Sequence, residues 1–76
     1  MKITIEDEIL QSFRISKDYT IMINGDIQLT FNKYAYEDEY ETENDYTFDD
    51  ESKKIFDKMP EEQQDEIIDF INQIKL

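Results

Sequence analysis

The fold is decided by residues 19–31, which read YTIMINGDIQLTF. Apolar residues alternate with less apolar ones on both sides of the central Asn24-Gly25, and this dipeptide favours a tight turn between two strands. The alternation indicates that each strand buries one face and exposes the other. The sequence therefore predicts a β-hairpin, with apolar rows formed by Tyr19, Ile21 and Ile23 on the first strand and by Ile27, Leu29 and Phe31 on the second.

The length of the turn follows from the position of these apolar residues. A two-residue loop would set Ile21 opposite Gln28, an apolar side chain against a polar one. A loop of odd length instead sets Ile21 opposite Ile27 or Leu29, and both apolar rows then share one face of the hairpin. We therefore predict a three-residue or bulged turn.

The segment before the hairpin is predicted to be a helix over about residues 5–14. Ile9, Leu10 and Phe13 fall at the i, i+1 and i+4 positions of a helical face, and acidic residues precede them where a first turn favours them. Ile3 and Ile5 alternate, however, so a short opening strand is the alternative.

After the hairpin, residues 34–48 alternate aromatic and acidic side chains. If this stretch is extended, aromatic side chains lie on one side and carboxylates on the other. The segment 42–45 is turn-prone, so a second hairpin can return through the last two aromatic residues. The even positions hold Tyr34, Tyr36, Tyr40, Tyr46 and Phe48, and the odd ones hold Glu37, Glu39, Glu41, Glu43 and Asp45.

The C-terminal part is predicted to be helical. Asp49 or Asp50 can cap a short helix, and Pro60 then begins a second helix whose apolar stripe runs over residues 67–74. The predicted order is α-β-β-(β)-α-α, an α+β domain in which helices pack on a small antiparallel sheet of two or three strands. A chain of 76 residues indicates a single domain over residues 1–76.

Charge is the strongest compositional feature, with 20 acidic residues, 8 basic ones and a formal net charge of −12. Such a chain repels nucleic acid and anionic membranes and attracts basic protein surfaces. We therefore expect no direct nucleic-acid or membrane partner, and the sequence leaves monomer and homodimer open. Without a signal peptide or a long apolar run, a cytoplasmic location is expected, which is the host cytoplasm if a phage encodes the protein.

The sequence predicts no enzyme and no cofactor. It contains no histidine or cysteine, and its one glycine is explained by the hairpin turn, so the motifs of nucleophilic catalysis, of thiolate or imidazole metal sites and of phosphate loops are missing. The acidic region 37–51 does not match an EF-hand loop, because the required glycine is missing. No metal ligands are therefore assigned, although an acidic cation-binding protein remains an alternative function.

The acidic segment is the candidate partner-binding surface. Positions 34 to 52 contain nine carboxylates and no basic residue. A solvated loop is the ordinary interpretation, but disordered acidic tracts are poor in aromatic residues and this one is rich in them. A fixed row of carboxylates resembles a nucleic-acid backbone electrostatically and can occupy a basic groove that binds phosphates. The predicted partner-binding residues are Glu37, Asp38, Glu39, Tyr40, Glu41, Glu43, Asp45, Asp49 and Asp50.

In size, charge and the segment KDYTI at residues 17–21, the chain resembles the small acidic phage-encoded inhibitors of the anti-CRISPR type. These proteins block Cas nucleases by mimicking DNA. The resemblance implies a DNA mimic that inhibits a host defence protein by binding its nucleic-acid groove, with a basic nucleic-acid-binding protein, such as a Cas effector, as its partner. It does not extend residue by residue into the C-terminal half, so it assigns no individual contact residue.

The run MPEEQQDEIIDFI at residues 59–71 is similar to helices that close many bacterial antitoxins and small regulators. That resemblance implies an antitoxin or immunity protein that neutralises a basic toxin and binds it through the apolar stripe over residues 67–74. An amphipathic helix that packs on the protein's own sheet gives the same pattern.

Overall fold

The computed structural model describes residues 1–11, 16–37 and 42–74. Within them, four strands form one antiparallel sheet in the order β1-β2-β3-β4, and two helices follow. The α+β class is confirmed, but the predicted order is wrong at its start, because the chain opens with a strand and not with a helix. This strand also brings the sheet to four strands, not the predicted two or three. The elements are β1 (Ile3–Gln11), β2 (Ser16–Ile23), β3 (Ile27–Glu37), β4 (Thr42–Phe48), α1 (Asp50–Asp57) and α2 (Glu61–Gln73).

The hairpin between β2 and β3 has the predicted turn. Ile23 pairs with Ile27 and Ile21 with Leu29, so three residues form the loop and the apolar rows share a face. Asn24 and Gly25 have φ values of 55° and 77°, the positive values that a type I′ turn requires at both central positions. The prediction of an odd-length loop is confirmed.

The strand β1 replaces the predicted helix over residues 5–14. It pairs along its length with β2, and the register shifts between Ile5 and Asp7 because a bulge inserts one residue. Ile5 lies opposite Ile21, whereas beyond the bulge Leu10 lies opposite Lys17. Before the bulge, the residues of β1 that face the helices are odd-numbered, and after it they are even-numbered. The apolar residues of this strand are therefore spaced in a way that resembles a helix. Phe13, the third residue of the predicted helical face, lies outside the described residues.

The second predicted hairpin exists, but its turn is not at residues 42–45. Those residues belong to β4, and the last pair of the β3–β4 ladder joins Glu37 to Thr42. Phe31 pairs with Phe48 at the other end of this ladder.

The core lies between the sheet and the two helices. The helix α2 contributes Ile67 and Ile71, which are both fully buried. Both C-terminal helices lie where the sequence predicted them. Rings from three elements extend the core. The centroid of the Phe48 ring in β4 lies 6.0 Å from that of Phe31, with the rings edge-on, and 4.8 Å from that of Phe56 in α1. The fully or nearly fully buried apolar residues are Tyr19, Ile21, Ile23, Leu29, Phe31, Ile67 and Ile71.

The start of α1 is fixed to the sheet through its first turn. Asp49 caps the helix by accepting a hydrogen bond of 2.8 Å from the backbone N–H of Ser52. The Asp49 N–H donates to the carbonyl oxygen of Thr30, and the Thr30 N–H donates to the buried Ser52 hydroxyl at 2.7 Å. These bonds continue the β3 ladder where β4 ends, so they set the direction in which the chain leaves the sheet.

Candidate acidic interaction surface

The residues predicted to bind a partner lie in and after the β3–β4 hairpin. Asp38, Glu39, Tyr40 and Glu41 lie outside the described residues. Glu37 is the last residue of β3, and Glu43 and Asp45 belong to β4. Asp49 and Asp50 follow at the start of α1 and are both exposed. The chain therefore brings the described members of the set to one hairpin and to the helix that follows it.

The predicted single row of aromatic side chains is wrong. In the β3–β4 ladder Lys33 pairs with Tyr46 and Tyr34 pairs with Asp45, so each even position of one strand faces an odd position of the other. Tyr46 therefore lies on the side of the core with Phe48, and Tyr34 lies on the opposite face of the sheet with Asp45. The physical reason is that the chain reverses within the acidic segment, and a hairpin with this register exchanges the two faces.

Asp45 is an acid of the hairpin whose side chain is held by a local hydrogen bond. Its side chain is exposed, and its Oδ1 atom accepts a hydrogen bond of 2.8 Å from the backbone N–H of Tyr46. This bond holds the carboxylate close to the strand. Burial raises the pKa of the Tyr46 hydroxyl, and the negative charge of Asp45 raises it further. The carboxylate is thus held against the backbone of Tyr46, whose ring packs against the core.

The basic residue closest in sequence before this acidic segment is turned away from it. Lys33 is 2% exposed, and its ammonium group donates a hydrogen bond of 2.9 Å to the carbonyl oxygen of Ile71 in α2. Burial lowers the pKa of Lys33, and the charge of Asp45 opposes that shift more weakly. Since its charge is directed at the helix carbonyl, Lys33 does not form an ion pair with the exposed acids in the part of the chain that the structure describes.

Asp49 has a structural role that the sequence also predicted. Its carboxylate caps α1, and Asp50 and Glu51 place further negative charge in the first turn of that helix, where the dipole stabilises it. These residues extend the acidic surface from the hairpin onto α1. Asp49 therefore combines a capping contact with an exposed charge.

The alternative contact surface, the apolar stripe of α2, is occupied by the protein itself. Ile67 and Ile71 are fully buried against the sheet, and Phe70 and Ile74 are partly buried on the same core. This is the packing that an ordinary amphipathic helix makes. A toxin would therefore reach the stripe only if α2 left the sheet.

The structure adds little to the cation-binding alternative. Within residues 1–11, 16–37 and 42–74, no group of three or more acidic side chains is arranged to hold a metal ion. In the same ranges, no helix has the length and apolar character needed to cross a membrane.

Two structural features near the candidate surface or elsewhere in the sheet were missed by the sequence reasoning. One is the inward position of Lys33, although the alternation of Leu29 and Phe31 continues to position 33 and could have indicated it. The other is the acidic edge strand β1, which was concealed because the bulge breaks its alternation.

Comparison with protein-family models, with curated proteins and with solved structures finds no match to this chain.

Proposed function

We propose that this protein is an acidic inhibitor that binds the nucleic-acid groove of a host defence protein and excludes DNA or RNA from it. The contact surface is the β3–β4 hairpin with the first turn of α1. The partner is a basic nucleic-acid-binding protein, and a Cas effector is one candidate. No reaction is assigned to the inhibitor.

The observation that supports this proposal most is the excess of acidic residues in the hairpin and the first turn of α1. Residues 27–52 contain nine acidic residues and one basic residue, Lys33. Because Lys33 is buried and donates to Ile71, it forms no ion pair with Asp45, Asp49 or Asp50, which are acids of this surface whose side chains the structure describes. In α1, the Lys53 Nζ atom lies 3.4 Å from Oδ2 of Asp57, so this lysine forms an ion pair with an acid outside the proposed surface.

The geometry changes the form of the mimicry that the sequence suggested. Instead of one extended row, the hairpin presents two short antiparallel segments whose residues are paired from 37 with 42 to 31 with 48. Alternate residues of a strand lie about 6.7 Å apart, and paired strands lie about 4.8 Å apart. The register places the positions of Glu43 and Asp45 on the face of Tyr34 and the position of Glu37 on the face of Lys33, so acidic positions occur on both faces of the hairpin. Such a hairpin suits a basic groove that is lined on both sides.

Electrostatics also determines how such a complex forms. Exposed like charges about 7 Å apart repel by only a few tenths of a kcal/mol in salt, so the folded hairpin tolerates them. The same charges attract a basic groove over a Debye length of about 8 Å and increase the rate of encounter. Binding should therefore be fast and should weaken as salt is added.

The proposal is tested by competition with DNA on an RNA-guided nuclease loaded with its guide. Fluorescence anisotropy of a labelled target duplex measures how much DNA remains bound as the inhibitor is added. We expect the apparent dissociation constant for DNA to rise in proportion to the inhibitor concentration. A complex that contains both the inhibitor and the DNA would contradict the proposal for that nuclease.

A pair of charge-matched variants locates the contact surface. The hairpin variant carries Glu37→Gln, Glu39→Gln, Glu41→Gln, Glu43→Gln and Asp45→Asn. The control removes the same charge from five exposed acids outside the hairpin, through Asp26→Asn, Glu61→Gln, Glu62→Gln, Asp65→Asn and Asp69→Asn. Only the hairpin variant should lose inhibition, by roughly a hundredfold or more if each contact contributes about 0.5–1 kcal/mol. An equal loss in both variants would show that net charge alone, and not this surface, carries binding.

A further inference from the structure

The strand β1 is an edge of the sheet with an unusual combination of side chains. It hydrogen-bonds to β2 on one side, and no other described strand pairs with it. Large apolar side chains are exposed along it, with Ile5 44% exposed and Ile9 and Leu10 each 52% exposed. Three consecutive acids, Glu6, Asp7 and Glu8, lie between them and are exposed as well. An edge strand with these properties is a template for pairing with another chain.

The bulge distributes the apolar side chains over both faces of this edge. Ile5 pairs with Ile21 and Leu10 with Lys17, which places both on the side of the sheet that the helices cover. Ile9 pairs with Asp18 and lies on the opposite face. A strand added to β1 would therefore gain apolar contacts on both faces in addition to backbone hydrogen bonds.

A second copy of the chain fits this edge poorly. The antiparallel register that pairs all nine residues of β1 with their equivalents sets Glu6 opposite Glu8 and Asp7 opposite Asp7. Like charges directly opposite each other destabilise a strand pair. Two copies, each with a net charge of −12, also repel at long range.

A basic segment fits the same edge well. Lysine or arginine side chains opposite Glu6 and Glu8 would convert this repulsion into attraction, and the apolar side chains that alternate with them would lie opposite Ile5 and Ile9. We propose that the free edge of β1 is a second interaction surface, which takes up an extended, lysine- or arginine-rich segment of a partner protein as a fifth strand of the sheet. This surface lies on the strand at the opposite edge of the sheet from β4 and does not depend on the function proposed for the hairpin.

The surface is tested with a defined probe, a capped seven-residue peptide of alternating lysine and valine. The peptide is titrated into the isotopically labelled full chain, and amide chemical shifts are followed by NMR. We expect saturable shift changes concentrated at residues 3–11. Shift changes confined to residues 42–50, or no saturable change up to millimolar peptide, would overturn the proposal.

Two controls separate strand addition from simple charge attraction. The same peptide with alternate backbone nitrogens methylated keeps its charge but loses donors to the edge, and it should bind about tenfold more weakly. Glu8→Lys should weaken binding roughly fivefold, whereas Glu62→Lys, the same charge change on α2, should have a much smaller effect. Equal affinity of both peptides would overturn strand addition whatever the variants show. A concentration-dependent dimer of the free protein, measured by light scattering, would instead assign the edge to a second copy.

Discussion

The ammonium group of Lys33 lies 2.9 Å from the carbonyl oxygen of Ile71 and joins the third strand to the last helix. No basic residue occupies the last turn of α2, so Lys33 supplies from the sheet the positive charge that a helix C-terminus favours. The same carbonyl also accepts a hydrogen bond of 3.1 Å from the N–H of Ile74. The contact fixes β3 to α2 and directs the ammonium group toward the helix carbonyl.

Two substitutions of Lys33 separate the effect of its side-chain volume on stability from the effect of its charge. Lys33→Met keeps most of the buried stem, and the Ile71 carbonyl retains its bond from Ile74. Because the burial cost of the charge is also removed, we expect the free energy of unfolding to change by less than about 1.5 kcal/mol. Lys33→Ala leaves a cavity and should cost about 2–4 kcal/mol. Urea unfolding of both variants checks this, and equal losses would show that the charged contact outweighs the packing.

The lowered pKa of Lys33 predicts a specific dependence of stability on pH. Between the lowered pKa of the folded state and the ordinary value of 10.5, the unfolded chain binds the proton more readily than the folded chain. The contribution of Lys33 to stability should therefore be greatest above pH 10.5 and be lost as the pH falls through the folded value. The difference in unfolding free energy between the natural protein and Lys33→Met should shift in favour of the natural protein as pH rises from 7 to 10. A difference independent of pH would contradict the buried, partly desolvated position of the ammonium group.

The contribution of Tyr46 to the free energy of unfolding should fall as pH rises, the opposite of the trend expected for Lys33. Its folded pKa is raised above 10.0, so its hydroxyl remains protonated in the folded state while the unfolded chain loses its proton. The stability that this provides is complete below pH 10.0 and is lost as pH rises through the folded value. Tyr46→Phe should therefore lose less stability than the natural protein between pH 9.5 and 11.5, measured by chemical unfolding. Identical pH profiles would indicate that the hydroxyl is not buried.

Asp49 allows capping and binding to be separated. Asp49→Asn keeps an oxygen that can cap α1 but removes the charge, so stability should change by less than about 0.5 kcal/mol while partner affinity falls. Asp49→Ala removes the hydrogen bond to Ser52 and should cost about 1 kcal/mol of stability. Thermal unfolding and binding measurements on the same samples check both effects. Unchanged affinity for Asp49→Asn would restrict this residue to its structural role.

The sequence predicts the structure correctly where the local residue pattern and the tertiary pairing agree. The β2–β3 turn followed from the parity of Ile21 and Leu29, because burying both rows on one face allows only an odd loop. A cap at Asp49 or Asp50 and the apolar stripe of α2 were predicted from equally local patterns, and the structure has the cap at Asp49.

The sequence does not predict the structure where a single inserted residue changes which positions of a strand face the core. The bulge in β1 places Ile5 and Leu10 on one face although their spacing is odd, and this made the segment look helical. The position of the β3–β4 turn decided which aromatic residues share a face, and an alternating segment such as 34–48 does not show where it reverses. The predicted row of aromatic residues failed for that reason, and Tyr34 and Tyr46 lie on opposite faces.

The central claim, that the acids of the β3–β4 hairpin bind a basic groove, is tested most directly by the salt dependence of binding to a target nuclease. Dissociation constants are measured between 50 and 200 mM salt for the natural protein and for the variant in which the five hairpin acids are neutralised. The natural protein should lose affinity by about tenfold or more over this range, and the variant should bind weakly with little dependence on salt. Binding by the natural protein that does not change with salt, or a variant that retains full affinity, would contradict the claim.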